Sequence, residues 1–195
     1  LYYLAQIYRE KGYTDKALVY YKKVFESPFE KAYIADAGVG YGRALFEKRQ
    51  YFDALSIFNY VVARDVKRVY ASPELLLNMG QANFELGVSA LARENFMRVL
   101  NLFPDIPDRD VVLSKAGDAY SMENNSEKAV KIYELVREKF PDSQGYVNAS
   151  IGIARYLKTD PEKIEIYEMI KEKFPENTYA RIAMMRLAEI YQKNK

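Results

Sequence analysis

The feature that most constrains this sequence is the return of small residues at nearly constant intervals. One series has separations of 37, 38 and 37 residues: Ala17, Ala54, Ala92 and Ala129. A second series precedes the first by 12 residues and continues toward the C-terminus: Ala5, Gly42, Gly80, Gly117, Gly152 and Ala188. Self-similarity at such a period indicates an array of stacked structural repeats, because each repeat needs its neighbours to bury its apolar face.

One stretch, Leu76 to Pro104, shows what a single repeat contains. Gly80 and Ala92 are expected on facing helices, where small side chains allow a short interaxial distance of roughly 8–10 Å. Gly87 suits a helix end in the left-handed conformation. Pro104 stops the second helix, because proline has no N–H to donate and restricts the residue before it. The pattern therefore predicts two short antiparallel helices in each repeat.

Aromatic residues occupy a fixed place in each predicted second helix: Tyr21, Phe58, Phe96, Tyr133 and Tyr167. Together with the small residues and the closing prolines, they make the chain resemble the tetratricopeptide repeat (TPR) family, whose unit has ~34 residues. The resemblance implies an all-α fold, a right-handed α-α superhelix with about five helix pairs and a single C-terminal helix. Departures from the pattern occur at Leu45, Asn83 and Arg155, and Lys163 replaces the expected alanine of the fifth repeat.

We expect a single array over residues 1–195. Its repeats are predicted at about 1–28, 29–70, 72–104, 107–141 and 142–175, followed by a lone helix at 178–193. The first helix of the second repeat is predicted at 30–48, and residues 64–71 are expected to form an irregular join. Thr14, Ser89 and Asp160 are predicted N-caps, because their side-chain oxygens can accept a backbone N–H of the first turn.

Composition excludes several kinds of chemistry. The chain contains no Cys and no His, so disulfides, thiolate or imidazole metal sites and His-based nucleophilic catalysis are not available to it. Glu162, Glu165 and Glu168 could be offered as a catalytic carboxylate pair, but they alternate with Lys163 and Lys171 on one helix and are read as a solvated face. We therefore predict no catalytic residue, no cofactor and no metal site.

Charge also limits the kinds of partner. The 29 Lys and Arg residues against 27 Asp and Glu residues give a net charge of +2, without the concentrated basic surface of a nucleic-acid binder. We predict no nucleic-acid partner. A helical-repeat RNA-binding protein and the helical domain of a peptidoglycan-acting enzyme remain the alternatives to a protein-binding role.

The family resemblance places the binding surface on the first helix of each repeat, which lines the concave face of a TPR array. Apolar side chains of the second and third repeats form a predicted anchor pocket: Val39, Phe46, Leu77 and Phe84. Polar side chains beside them are predicted to hydrogen-bond a peptide or helix: Arg43, Asn78, Gln81 and Lys115. Arg43, Asn78 and Lys115 occupy places like those of the dicarboxylate clamp in chaperone-binding TPR domains. However, Val39 and Val111 stand where that clamp needs polar residues, so a chaperone-tail receptor is rejected.

We therefore predict a non-catalytic scaffold that binds a peptide or partner protein, within an envelope or other multiprotein assembly. The strings Lys139–Ser143 and Lys173–Asn177 resemble those of bacterial cell-envelope TPR proteins, such as the outer-membrane assembly lipoprotein and the Tol-associated periplasmic coordinator. This resemblance predicts a periplasmic or envelope-associated location, with the cytoplasm as the alternative. No apolar run approaches the roughly 18 residues of a membrane span, so no direct membrane insertion is predicted. The apolar end helices at 1–7 and 178–193 are expected to give weak self-association.

Overall fold

The computed structural model describes residues 1–29, 31–177 and 179–193, and the regular elements in them are helices. The chain forms two compact blocks, which we call the N-terminal block (Leu1–Phe103) and the C-terminal block (Pro104–Lys195). Each block is built from antiparallel helix pairs. The all-α prediction is confirmed.

The N-terminal block contains three helix pairs, α1 with α2, α3 with α4, and α6 with α7, and a short helix α5 before the third pair. The bounds are α1 (Tyr2–Glu10), α2 (Thr14–Phe25), α3 (Ile34–Glu47), α4 (Tyr51–Arg64), α5 (Arg68–Ala71), α6 (Pro73–Glu85) and α7 (Ser89–Leu102). A 3-10 turn at Lys31–Tyr33 precedes α3, so this helix begins later than predicted. Glu30, the predicted start, lies outside the described residues. The predicted irregular join contains the single turn of α5.

The C-terminal block contains two helix pairs, α8 with α9 and α10 with α11, and the single helix α12. The bounds are α8 (Arg109–Met122), α9 (Ser126–Lys139), α10 (Gln144–Ala154), α11 (Asp160–Lys173) and α12 (Ala180–Lys193). Thr178, where the last helix was predicted to begin, lies outside the described residues. The described part of the chain thus contains the five predicted helix pairs and the single C-terminal helix.

The glycines of the first helices make room for the aromatic rings of the second helices. A Cβ built on Gly80 would come within 2.7 Å of the Phe96 ring, and one on Gly42 within 2.5 Å of the Phe58 ring. Phe96 is buried, as is Ala92 one turn earlier on α7. The glycine is therefore needed because an aromatic ring packs directly on it. The sequence predicted the close approach of the two helices at Gly80, but not the contact with the Phe96 ring.

Equivalent turns inside the pairs contain a residue with positive φ. These residues are Gly12 (φ +75°), Arg49 (+60°), Gly87 (+75°) and Asn124 (+59°). The prediction for Gly87 is confirmed, and its N–H donates to Phe84 O at 3.0 Å. Arg49 shows that the turn geometry persists where the sequence has no glycine.

Two of the predicted N-caps are wrong because of this turn. The residue after the left-handed position occupies the cap, so the caps of α2 and α7 are Tyr13 and Val88, without a side-chain hydrogen bond. Thr14 and Ser89 are instead the first residues of their helices. The Thr14 hydroxyl donates to Glu47 of α3 at 3.1 Å.

The fifth repeat begins its second helix differently. Thr159 is the N-cap of α11, and Asp160 is the first helical residue, so the prediction of Asp160 as the cap is also wrong. Thr159 and Glu162 form a reciprocal capping box, in which the Thr159 N–H donates to Glu162 at 3.1 Å. This arrangement satisfies two backbone donors at the start of the helix.

Candidate functional site

A cavity of about 190 Å³ opens in the N-terminal block among α1, α2, α3, α5 and α6. We call it the N-terminal groove. The residues that determine its chemistry are Tyr2, Arg9, Tyr21, Asp36, Val39 and Arg68. They come from helices far apart in sequence, so the groove exists only when the repeats are stacked.

Tyrosines form one wall of the N-terminal groove. Tyr21 is buried against Gly40, where a Cβ would come within 2.5 Å of its ring. Tyr2 stacks on Tyr33 with ring centroids 5.1 Å apart, and its hydroxyl accepts a hydrogen bond of 3.0 Å from Gln6 Nε2. Burial raises the pKa of both Tyr2 and Tyr21. Both hydroxyls therefore remain protonated at neutral pH and can donate to a ligand.

An ion pair fixes α5 at the edge of the groove. The Arg68 guanidinium donates to both carboxylate oxygens of Asp36 on α3, with Nη2 to Oδ2 at 3.2 Å. Its Nε also donates to Asp65 Oδ2 at 2.9 Å. Because the pair with Asp36 is bidentate and only partly exposed, it defines the position of α5 more firmly than a single surface ion pair would.

The other arginines in and beside the groove differ in their ion pairs. Arg43 pairs with Glu74 of α6 and with Glu47 at 3.1 Å, so it connects the second and third repeats. Arg9 lines the groove but forms no ion pair with any residue that the structure describes. Arg9 is thus the cation in this groove that is available to an acidic ligand group.

The predicted binding residues lie at three different places. Val39 lines the groove, and Arg43 lies beside it. Phe46 is half-buried, packs edge-on against Tyr51 at 5.4 Å and contacts the cluster around Phe58. The Phe46 ring therefore packs partly into the interior of the N-terminal block.

The other predicted residues lie on α6 and α8. Leu77, Asn78 and Phe84 are half-buried on α6, and Gln81 donates to Glu85 Oε1 at 2.6 Å. Lys115 belongs to α8 in the C-terminal block. The prediction that these residues bind a partner stays a prediction.

Sequence reasoning missed Asp36 and Arg68 as parts of the site. Asp36 is not among the predicted binding residues, and Arg68 lies in the segment 64–71 that was predicted to be irregular. Their pairing joins residues 32 positions apart. The only signal in the sequence is the opposite charge of the two residues, which many other pairs share.

The C-terminal block contains a hydrogen-bonded polar cluster between α8 and α10. Asp118 accepts from the Tyr133 hydroxyl at 2.8 Å, from Asn148 Nδ2 at 2.9 Å and from Arg155 Nη1 at 3.2 Å. Asn148 also donates to the Ser114 hydroxyl at 3.1 Å. Burial, and then the charge of Asp118, raises the pKa of Tyr133. These groups satisfy one another, so the cluster joins helices and does not offer an open site.

The described part of the chain holds no cluster of three or more Asp, Glu, His or Cys side chains arranged to bind a metal ion. Residues 1–29, 31–177 and 179–193 include no helix with the length and apolar character that a membrane crossing requires.

Stacked antiparallel helix pairs with glycine–ring contacts define a helical-repeat protein. One family model described as a tetratricopeptide repeat matches residues 74–105 and 112–143, and a second with the same description matches residues 1–30. A search of curated protein sequences found no significant match. The chain therefore contains tetratricopeptide repeats, at residues 1–30, 74–105 and 112–143.

Solved structures of other proteins share this fold. YrrB, described as a TPR protein with an unusual peptide-binding site, is 18% identical with a TM-score of 0.71, covering 94% of this chain and 90% of YrrB. A MamA structure is 20% identical with a TM-score of 0.63 and covers 96% of each chain. Pseudomonas aeruginosa pilF is 17% identical with a TM-score of 0.64, covering 99% of this chain and 83% of pilF. At these identities the similarity shows the fold alone.

Proposed function

We propose that this protein is a non-catalytic scaffold that binds a segment of a partner protein in the N-terminal groove. TPR repeats are generally protein-interaction modules, and their fold specifies a surface rather than a reaction. The observation that carries the proposal is the composition of the groove. An apolar side chain, two tyrosines and a cation that has no carboxylate partner among the described residues face one cavity.

Each of these groups suits a peptide. Val39 offers an apolar contact for a ligand side chain, and the hydroxyls of Tyr2 and Tyr21 can hydrogen-bond a ligand's backbone. Arg9 fits an acidic side chain, because a carboxylate there would gain a charge-assisted hydrogen bond. The partner segment is therefore one that carries an acidic residue close to an apolar one. YrrB, which shares the fold, is itself described as having a peptide-binding site.

The predicted residues outside the cavity extend this surface. Leu77, Asn78, Gln81 and Phe84 lie along α6, and we propose that they contact the same ligand beyond Arg43. Phe46 has a mixed role because its ring also packs against Tyr51. Phe84→Ala is thus a cleaner test of the predicted anchor than Phe46→Ala.

The groove can be tested by filling it. Peptides would first be selected from a random phage-displayed library on the purified chain. Their affinities for the unmodified chain and for Val39→Trp would then be compared by fluorescence polarisation. A matched control is Val19→Trp, because Val19 is an exposed valine on α2 outside the cavity. We expect the groove variant to lose at least about tenfold in affinity, since a blocked anchor costs ~2 kcal/mol or more.

A charge reversal tests the role of Arg9. Arg9→Glu should weaken binding of the selected peptides and change their preference away from acidic residues, whereas Lys11→Glu at the end of the same helix should not. Selected peptides that bind both the Val39→Trp and the Arg9→Glu variants with unchanged affinity would place the binding surface elsewhere.

We further propose a periplasmic or envelope-associated location, within a multiprotein assembly. The support is the resemblance of the Lys139–Ser143 and Lys173–Asn177 strings to those of bacterial envelope proteins. Osmotic-shock fractionation of source cells, followed by immunoblotting, is the direct test. Release with periplasmic markers is the expected outcome, and recovery only with cytoplasmic markers would refute the location.

A further inference from the structure

A second cavity, of about 370 Å³, lies in the C-terminal block among α10, α11 and α12. Its apolar side includes the buried residues Ile151 and Ala154. Its charged side carries three cations and a carboxylate: Arg155, Lys163, Arg186 and Glu189. The volume falls within the range of roughly 300–1,000 Å³ that small-molecule pockets have. All of these residues belong to one block, so the cavity is independent of the N-terminal groove.

Lys163 explains why an opening exists at this point. The equivalent residues of the other four second helices are alanines, and each is completely buried against its partner helix: Ala17, Ala54, Ala92 and Ala129. A lysine cannot occupy that volume, and its ammonium group must remain in contact with solvent or with a counterion. The departure from the TPR pattern therefore coincides with the cavity, and it places a cation in its wall.

The three positive charges in the cavity wall are not neutralised by the one carboxylate in that wall. Arg155 donates to Asp118 at 3.2 Å, and Arg186 donates to Glu189 at 2.8 Å. Lys163 forms no ion pair with any residue in the described part of the chain. The neighbouring carboxylate of Glu162 is hydrogen-bonded to Thr159 in the capping box. The cavity wall therefore carries excess positive charge centred on Lys163.

Tyr167 adds a hydrogen-bond donor without a partner. It lines the cavity and is only 5% exposed, yet its hydroxyl makes no hydrogen bond to any described residue. Burial raises its pKa, so the hydroxyl keeps its proton at neutral pH. The corresponding hydroxyl of Tyr133 is satisfied by Asp118 at 2.8 Å. The hydroxyl oxygen itself is not fully buried, and Tyr167 lines the cavity. An acceptor bound in the cavity can therefore take a hydrogen bond from this hydroxyl.

We propose that this cavity binds a carboxylate carried on a short apolar chain. The carboxylate pairs with Lys163 and accepts from the Tyr167 hydroxyl, while the apolar chain packs over Ile151 and Ala154. Two sources supply this chemistry, namely a medium-chain fatty acid and the C-terminal residue of a peptide that ends in an aliphatic side chain. In both, the carboxylate next to the apolar group is what the cavity recognises.

Matched acid and neutral ligands test the proposal by isothermal titration calorimetry on the whole chain. The pairs are octanoate with octanol, and acetyl-Ala-Leu as the free acid with its amide. We expect at least one acid to bind about tenfold or more tightly than its neutral counterpart, because a charge-assisted hydrogen bond is lost in the neutral ligand. Octanoate binding identifies a fatty-acid source, and binding of the peptide acid identifies a peptide source. Equal affinity within both pairs, or no binding by either acid, would overturn the proposal.

Variants at the cavity locate the binding. Lys163→Gln keeps the length of the side chain without its charge, and Lys163→Ala restores the alanine of the other repeats. Both variants should bind the acid ligand about tenfold or more weakly. Lys163→Ala should keep or raise the melting temperature. The control is Lys171→Ala, since Lys171 lies on the same helix outside the cavity and pairs with Glu168 at 3.0 Å. Unchanged acid affinity in Lys163→Gln would show that the carboxylate binds elsewhere.

Discussion

The hydroxyl of Tyr133 donates a hydrogen bond of 2.8 Å to Asp118, and its ring packs against two glycines. A Cβ on Gly117 would come within 2.6 Å of the ring atom Cε1, and a Cβ on Gly152 within 2.5 Å of the ring atom Cζ. A single residue of α9 therefore determines how closely both α8 and α10 approach. The hydrogen bond to Asp118 fixes the orientation of the ring.

Tyr133→Phe should alter the dependence of stability on alkaline pH. Burial raises the pKa of Tyr133 in the folded chain, whereas the unfolded chain releases this proton near the ordinary value of about 10. Above that pH the unfolded state binds fewer protons, so stability falls by ~1.4 kcal/mol per pH unit for each such group. Below it, this contribution is fully present. Urea unfolding at pH 7 and above pH 10 would measure the difference.

The phenylalanine variant should lose about 1–3 kcal/mol at pH 7, because it removes a hydrogen bond to a carboxylate. Its free energy of unfolding should then fall less steeply above pH 10 than that of the parent. The difference in slope corresponds to about one proton, or ~1.4 kcal/mol per pH unit. Parallel declines in the two proteins would show that Tyr133 ionises normally in the folded state.

Gly80→Leu should destabilise the N-terminal block. The new side chain would meet the Phe96 ring within 2.7 Å at its first atom, and overpacking of this kind costs typically about 1–3 kcal/mol, occasionally more. Ala90→Leu, at an exposed position of α7, serves as control and should change stability by no more than ~0.5 kcal/mol. Circular-dichroism melts would compare the variants, and a Gly80→Leu melt that matches the parent would contradict the glycine–ring contact.

Arg49→Gly should stabilise the protein. Arg49 has a φ of +60°, a conformation that costs a residue with a side chain more than it costs glycine. We expect the free energy of unfolding to rise by about 0.5–1 kcal/mol. At this chain length, 1 kcal/mol corresponds to roughly 2–4 °C in melting temperature. Lys11→Gly is the control, because Lys11 directly precedes the left-handed position of the first repeat with an ordinary φ of −84°, and glycine there brings mainly its entropic cost. No gain in Arg49→Gly would mean that another interaction of Arg49 offsets its backbone strain.

Self-association through the end helices remains a prediction. Tyr3 and Ile7 of α1 are exposed, as are Ile182 and Met185 of α12. Apolar faces of this kind favour weak association, because burial gains ~25 cal/mol per Å². Light scattering over a concentration series should show a rising mean mass, reduced in Met185→Glu. A strictly constant monomer mass into the millimolar range would exclude such association.

Short-range patterns in the sequence were sufficient to predict the helix pairs. The spacing of small residues such as Gly80 and of rings such as Phe96 reports packing that every repeat reuses. The turns were harder to predict because their geometry is imposed by the helices on either side. Arg49 adopts a left-handed conformation that its own side chain disfavours, and Thr14 lies one residue inside the helix that it was predicted to cap.

The groove could be predicted only in outline. Val39 was recognised because first-helix positions recur, but the ion pair between Asp36 and Arg68 depends on where α5 lies in space. No periodic signal marks this segment. Likewise, Phe46 has the position of a surface anchor in the sequence, although its packing against Tyr51 depends on side-chain orientation.

The shared ring of Tyr133 also determines which backbone amides of the C-terminal block open first. Neither α8 nor α10 can move away from α9 without exposing one side of a fully buried aromatic ring. Local fluctuations should therefore begin in α11 and α12, whose described residues are not part of the hydrophobic cluster around this ring. In native-state hydrogen exchange, the amides of α8, α9 and α10 would then be exchanged late and together, as one cooperative unit.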